Sequence, residues 1–380
     1  MIALRARGPA ANRNPTAEPS KVRRRMGFAH RAILAGALGF AAAFVVACGG
    51  GGSGLLSGDQ ASTLKSQLDQ VSSQLSSGSC NGVSSATNEL SIAVAKLQSK
   101  GSALDAVQAA IVQLEDDSQF NAGRGAAFNE QGKQEMDASI MDGSNLQAGS
   151  VAGVQFTKNP ISLARAVMEH TPHVMLIGPG ADALAGRVGL PRMPASYFFT
   201  EGRWQEFVGV MKASGRPVPP RPVAGARSSV QPNPDSFRVL AHKYGTVGAI
   251  ARDVRGNVAA GTSTGGMQGK MPGRVGDSPI IGAATYAANQ SCAVSSTGVG
   301  EYFIRLAVAK EICALVQYRG FSVQQAADHV IHKEVASLKG GEGGVIVLSA
   351  RENPIWSFNT LGMFRSRQIE GGQPVIIVEK

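Results

Sequence analysis

The sequence predicts an α+β protein in which helices pack on sheets in layers. Three observations carry this. Helical and strand-like stretches come in runs without strict alternation, which favours layered packing over a regularly wound βα repeat. Of 380 residues, 43% are hydrophobic and only 17% charged, a globular balance rather than a disordered one. Glycine is abundant, at 47, and much of it sits in pairs and triplets beside short apolar runs, where tight turns join strands.

The chain opens on a basic head. Residues 1–31 carry Arg5, Arg7, Arg13, Lys21, Arg23, Arg24, Arg25 and Arg31 against Glu18, which accounts for +7 of the formal net charge of +10. A basic surface stripe for nucleic acid is therefore not needed to explain the charge, and a nucleic-acid partner is not expected. The uncharged run Ala32–Ala47 follows, shorter than the ~20 apolar residues of a spanning helix. A basic segment before a short apolar one is the layout of a secretory signal. Val45-Val46-Ala47-Cys48 and the glycine run Gly49–Gly52 resemble a bacterial lipoprotein signal, with Cys48 the residue to be lipidated and a flexible tether behind it. The expectation is an extracytoplasmic protein held at a membrane by a lipid anchor.

Residues 1–47 are thus leader, and 48–83 are tether and helical spacer, with Leu64, Leu68, Val71 and Leu75 at helical spacing. Residues 84–380 form the main domain. Its first helix carries Leu90, Val94 and Leu97, and a second spans Ser102–Asp117 with Leu104, Val107, Ile111 and Leu114 on one stripe. Strands are predicted at Met136–Met141 and Ser150–Phe156, a helix at Ile161–Glu169, and a short apolar run at His173–Ile177. Residues 213–236, rich in Pro, Arg and Ser, read as a mobile surface segment. Thr246–Ala251 and Val258–Ser263 read as strands joined by the turn Arg255-Gly256-Asn257. Ala293–Ser296 is a strand, Glu301–Tyr318 and Val323–Leu338 are long helices, and Gly344–Leu348, Ile355–Phe358 and Val375–Val378 close with strands. Cys80, Cys292 and Cys313 form no framework and no metal-ligand spacing, so they read as buried, unreactive thiols. His170 and His173 flank a turn and read as a helix end. Gly178-Pro179-Gly180 lacks the Lys-Ser/Thr of a phosphate loop.

Chemistry gathers in four segments: Phe120-Asn121-Ala122-Gly123-Arg124-Gly125; Tyr244-Gly245-Thr246-Val247-Gly248-Ala249; Gly261-Thr262-Ser263-Thr264-Gly265-Gly266-Met267, continuing to Pro272-Gly273-Arg274-Val275-Gly276-Asp277-Ser278-Pro279; and Ser296-Thr297-Gly298-Val299-Gly300-Glu301. In this order they resemble the plant-type asparaginase and isoaspartyl peptidase family of N-terminal-nucleophile hydrolases, from about Leu90 to the C-terminus. The resemblance implies a four-layer αββα sandwich and hydrolysis of the side-chain amide of asparagine or of isoaspartyl (β-aspartyl) peptides.

The resemblance also implies roles. Thr246 is the nucleophile, freed when the chain cuts itself between Gly245 and Thr246. Its new α-amine, with a reference pKa of ~7.7–8.0, then serves as its base. Thr264 hydrogen-bonds the nucleophile, and Asn121 lies near it. Thr297 and Gly298 donate to the oxyanion, where one donor is worth ~2.7–4 kcal/mol in the transition state. Arg274 and Asp277 clamp the carboxylate and ammonium of a free amino-acid head group, and Gly300 lines the same site. Leu114, Glu115, Asp117, Phe120, Ala122 and Arg124 match a loop that wraps a structural sodium ion; no other cofactor is implied. The family assembles as homo-oligomers of cleaved subunits. Gly245 and the Gly265-Gly266 pair resemble the asparaginase and isoaspartyl peptidase branch more than the glycosylasparaginase branch.

One departure stands out. Family members begin with a strand ending in His-Gly-Gly-Ala-Gly, and no such motif occurs here. The expectation is a sheet lacking that strand, with its neighbours' backbone groups unpaired. A competing reading follows from it: a catalytically impaired lipoprotein that keeps the scaffold for binding.

Overall fold

The polypeptide path comes from a computed structural model that describes residues 2–5, 81–222, 245–369 and 374–377, with the backbone alone for 2–5 and 81–89. The lipidation candidate Cys48, the apolar run before it, the tether, the Leu64–Leu75 helix, Cys80 and residues 223–244 lie outside them.

Two sheets face each other. The larger has eight strands: β1 (Ile2–Arg5), β2 (Met136–Asp142), β3 (Ala148–Val154), β4 (Met175–Ile177), β5 (Val247–Arg252), β6 (Val258–Thr264), β11 (Arg365–Ile369) and β12 (Val375–Ile377). Their spatial order is β12-β11-β1-β5-β6-β2-β3-β4. The smaller holds β7 (Thr285–Ala287), β8 (Ala293–Gly298), β9 (Gly343–Leu348) and β10 (Ile355–Phe358), in the order β10-β9-β8-β7.

Three apolar clusters set the layering. One buries α1 (Asn81–Gln98), α2 (Ala103–Asp116) and α3 (Pro160–His170) on the outer face of the large sheet, against Ala249, Ala251 and Ile140. A second lies between the sheets and contains Ile250, Val258, Ala260, Ala293, Ile346 and Leu348. A third packs Val294, Val345 and Val347 against the C-terminal helices. Ala249 and Ala251 turn to the helices and Ile250 to the other sheet, the alternation of a strand covered on both faces. The α2 helix starts where the sequence predicts, because Ser102 and Asp105 form a capping box.

The expectation of a sheet without its first strand is corrected. Ile2–Arg5 runs parallel to both β5 and β11, pairing Ala3 with Ile250 on one side and Arg367 on the other. Four residues with no glycine motif, inside a basic head, carry no strand signal of their own; their neighbours' backbone groups define the place.

Other boundaries shift for tertiary reasons. The helix predicted at Glu301–Tyr318 breaks at Ala307, which is left-handed with φ 48°, into α7 (Gly300–Leu306) and α8 (Val308–Arg319). The N–H groups of Ala309 and Lys310 donate to the carbonyls of Ala283 and Gly282, so contacts across the fold satisfy the new helix start. The last helix runs α-helical over Val323–His329 and continues as a π turn over Val330–Val335. The three helices before these, α4 (Gly178–Arg187), α5 (Ala195–Phe198) and α6 (Glu201–Ala213), have no counterpart in the sequence reading, although Trp204, Phe207 and Met211 form the buried stripe of α6 against Phe128 and Phe199. Cys292 and Cys313 form a disulfide with Cα atoms 5.2 Å apart, correcting the free-thiol expectation. It ties the start of β8 to α8.

Candidate active site

The site forms where the β5–β6 ladder opens. Val247 pairs with Ser263, so the next residues outward are Thr246 and Thr264. Thr246 Oγ1 donates to Thr264 Oγ1 at 3.1 Å, and Thr264 Oγ1 also accepts from Gly266 N–H at 3.0 Å. Gly266 has φ +76°, a conformation that suits glycine and turns the chain back onto the Thr264 hydroxyl. Asn121 holds this turn from outside. Its carbonyl accepts from Gly265 N–H, and its Nδ2 donates to the Gly266 carbonyl at 2.7 Å. Asn121 also walls in Gly245, where an added Cβ would meet the Asn121 Cβ at 2.8 Å.

The second sheet supplies the opposite side. Ala260 and Ala293 share the inter-sheet cluster, and one step outward Thr262 Oγ1 and Ser295 Oγ are hydrogen-bonded at 2.7 Å. The next inward-facing positions along the two strands are Thr264 and Thr297, at the same end of the sandwich. Ser139 and Thr285 extend the buried hydroxyl chain between the sheets, which fixes their spacing with short polar contacts. Thr297 Oγ1 is buried without a hydrogen-bond partner among the described residues. Such an orphan is costly unless something else meets it. Gly298 leaves no room for a side chain between Phe303 and the Glu342 carbonyl.

Arg274 joins the two halves. A Cβ on Gly266 would lie 3.4 Å from its Nη1, and one on Gly300 would lie 3.0 Å from its Nη2 and equally 3.0 Å from Asp277 Oδ1. A guanidinium and a carboxylate thus converge on a glycine surface. Asp277 is buried, and its Oδ2 has no partner among the described residues. Burial pushes its carboxyl up to about 7, against the pull of its own backbone N–H and of Arg274. Arg274 is steadied by Glu301, which accepts from Nε at 3.0 Å and Nη2 at 2.9 Å.

The loop predicted to wrap an ion lies at the end of α2. The carbonyls of Glu115, Ser118 and Phe120 crowd Gly123 and Gly125 so closely that a Cβ at either glycine would collide with them. Carbonyl oxygens are the donor type that a hard cation takes, and Glu115 and Phe120 of the predicted set bring theirs against these two glycines. Among the described residues no group of three or more His, Cys, Asp or Glu side chains could hold a metal ion. The Glu115 side chain points elsewhere: fully buried, it accepts from Ser263 Oγ at 2.6 Å and Ile161 N–H at 2.9 Å.

The predicted residues Asn121, Gly245, Thr246, Thr264, Arg274, Asp277, Thr297, Gly298 and Gly300 therefore meet at one end of the sandwich. Leu114, Glu115, Asp117, Phe120, Ala122 and Arg124 lie together in the separate α2-terminal loop. Sequence reasoning missed Glu301, which follows directly on Gly300, and the buried charges Lys270 and Asp137. Among the described residues no helix is long and apolar enough to cross a membrane.

Comparison with known proteins agrees with the geometry. A family model described as "Asparaginase" matches residues 58–377. The chain is 42% identical over 285 residues to an isoaspartyl peptidase of Escherichia coli, covering 73% of this chain and 82% of that protein. It is 40% identical over 295 residues to a probable isoaspartyl peptidase/L-asparaginase of Arabidopsis thaliana, covering 75% and 88%. A human isoaspartyl peptidase/L-asparaginase is 43% identical over 253 residues, covering 67% and 75%.

Proposed function

The chain belongs to this asparaginase family of hydrolases, and from that premise we propose that it is a threonine amidohydrolase that activates itself by cutting between Gly245 and Thr246. Its substrates are asparagine and β-aspartyl peptides. The observation that carries the reading is the Thr246–Thr264 hydroxyl pair directly after Gly245, on the glycine surface where Arg274 and Asp277 converge.

In the uncut chain the Thr246 hydroxyl attacks the Gly245 carbonyl carbon. The peptide bond shifts to an ester, and water then releases the Gly245 carboxylate and a Thr246 α-amine. Gly245 suits this step because a side chain there would collide with Asn121. In turnover the α-amine takes the hydroxyl proton as Oγ1 attacks the substrate amide carbon. Thr297 Oγ1 and the Gly298 N–H donate to the carbonyl oxygen as it gains charge. The amine or ammonia leaves with a proton, and water hydrolyses the aspartyl ester. Arg274 holds the α-carboxylate and Asp277 the α-ammonium, so the reacting amide is oriented by the head group it belongs to. A sodium ion would sit on the carbonyls of the Leu114, Glu115, Asp117, Phe120, Ala122 and Arg124 loop, where it would stiffen the chain leading to Asn121.

We propose an extracytoplasmic location, supported by the leader sequence and by the Cys292–Cys313 bridge, which persists in oxidising compartments. Cleavage before Cys48 would remove β1 from the sheet, so lipidation at Cys48 and a mature β1 exclude one another. The N-terminal sequence of the membrane-bound protein decides between them. Cys48→Ser should release the protein or stall its processing if Cys48 carries the anchor. Unchanged partitioning would contradict the anchor.

Arg274→Ala tests the substrate assignment. Hydrolysis of asparagine and β-aspartyl dipeptides should be lost while self-cleavage persists, since the scissile Gly245–Thr246 bond offers no free carboxylate. Unchanged turnover in a folded, cleaved variant would remove the clamp.

A further inference from the structure

The loop from Gly265 to Arg274 connects Thr264, which touches the nucleophile, to the guanidinium of the clamp. Its midpoint is Lys270, only 6% exposed. A lysine in a glycine-rich loop ordinarily extends into water, because burying an ammonium is costly unless it is compensated. Here the side chain runs along Gly266, and a Cβ at that glycine would lie 3.1 Å from both Cδ and Nζ of Lys270. The ammonium donates to the Glu135 carbonyl at 2.7 Å.

The opposite charge that acts on it most strongly is Asp137. Asp137 is wholly buried, accepts from Gly153 N–H through Oδ1, and has no partner for Oδ2 among the described residues. In the β2–β6 ladder Asp137 stands directly opposite Thr264. Each of the two buried groups is the largest favourable charge acting on the other. The adjoining Glu135 carboxylate accepts from Gly273 N–H at 3.2–3.3 Å, one residue before Arg274. Glu130 N–H also donates to the Lys270 carbonyl. The loop is therefore fastened to the segment entering β2 on both sides of its turn.

We propose that Lys270 is a positioning residue for the head-group clamp: its buried ammonium fastens the Gly265–Arg274 loop beside Asp137 and so fixes where Arg274 meets the substrate carboxylate. Lys270 does not touch substrate itself; it acts through Gly266 and Arg274. The inference rests on the clamp reading above.

The test compares wild type, Arg274→Ala and Lys270→Met, which keeps the apolar stem and removes the charge. Each is assayed on asparagine and on asparagine α-amide, which carries a neutral amide in place of the α-carboxylate. Wild type should prefer asparagine, and Arg274→Ala should lose that preference. Lys270→Met should still cut itself and fold. Its KM for asparagine should rise about tenfold with kcat changed less than about threefold, and its preference over the α-amide should shrink about tenfold. If Lys270→Met alone fails to fold, Lys270→Met with Asp137→Asn removes the uncompensated carboxylate and is read in the same way. Unchanged KM and preference in either folded variant overturns the inference. So does failure of both to fold, which makes Lys270 a folding requirement. If Arg274→Ala itself keeps the preference for asparagine, the clamp reading fails instead.

Discussion

Thr246 Oγ1 and Thr264 Oγ1 lie 3.1 Å apart, one residue beyond the last paired rung of β5 and β6. Because Thr264 also accepts from Gly266 N–H, its hydroxyl is held in place as the hydrogen-bond partner of the Thr246 hydroxyl. Thr264→Val keeps the shape and removes the acceptor. It should slow turnover by roughly 10–100-fold, the worth of one hydrogen bond to a group gaining charge. Thr264→Ser should recover most of that rate. Equal rates in the Val variant and wild type would exclude a role for the bond.

If Asp277 takes the substrate α-ammonium, turnover should carry a pH signature. Burial raises its carboxyl to about 7, so it is largely protonated in the free enzyme below that pH. An α-ammonium needs the carboxylate. Apparent KM should therefore rise as pH falls below about 7, by about tenfold per unit well below it. Asp277→Asn should bind weakly at every pH and lose this slope. A pH-independent KM in wild type would contradict the role.

Glu115 should give the stability a pH dependence of its own. Burial raises its carboxyl from 4.5 to about 8 despite hydrogen bonds from Ser263 and Ile161. A folded-state pKa above the unfolded one means its stabilising contribution is complete below about 4.5. It is lost as pH rises through about 8. Glu115→Gln, which still accepts both bonds, should flatten the change in denaturation midpoint across that window. The same slope in the variant would place the pH dependence elsewhere.

The Cys292–Cys313 bridge closes a loop across 21 positions. Chain-entropy reasoning gives it about 3 kcal/mol. Reduction, or Cys292→Ala with Cys313→Ala, should lower the unfolding temperature. Both cysteines lie after Thr246, so the bridge should not join the two cleaved fragments on a non-reducing gel. No change in stability on reduction would show that the bridge carries none of it.

Much of this site is legible in the sequence, because its parts are short motifs of small polar residues whose identity is the chemistry. Gly245-Thr246, Thr264 and Thr297-Gly298 are residues that the strand ladders then bring to one end of the sandwich. The strand elements also read well, since β5 and β6 are apolar runs bounded by the turn at Gly256. What could not be read depends on distant neighbours. Ile2–Arg5 becomes a strand only because β5 and β11 flank it. Cys292 and Cys313 meet only because α8 packs on β8. Ala307 breaks a helix that its local sequence would continue, and Lys270 looks solvated until Asp137 is placed behind it. The Arg274–Glu301 contact was not read either, although Glu301 follows directly on Gly300, which Arg274 and Asp277 flank.

The central claim is self-cleavage at Gly245–Thr246, and N-terminal sequencing of the purified wild-type fragments tests it most directly. The account predicts two chains, one of which begins at Thr246 and ends at Lys380, with Thr246→Ala remaining a single uncut and inactive chain. A folded wild-type protein that stays intact, or is cut elsewhere, would contradict it.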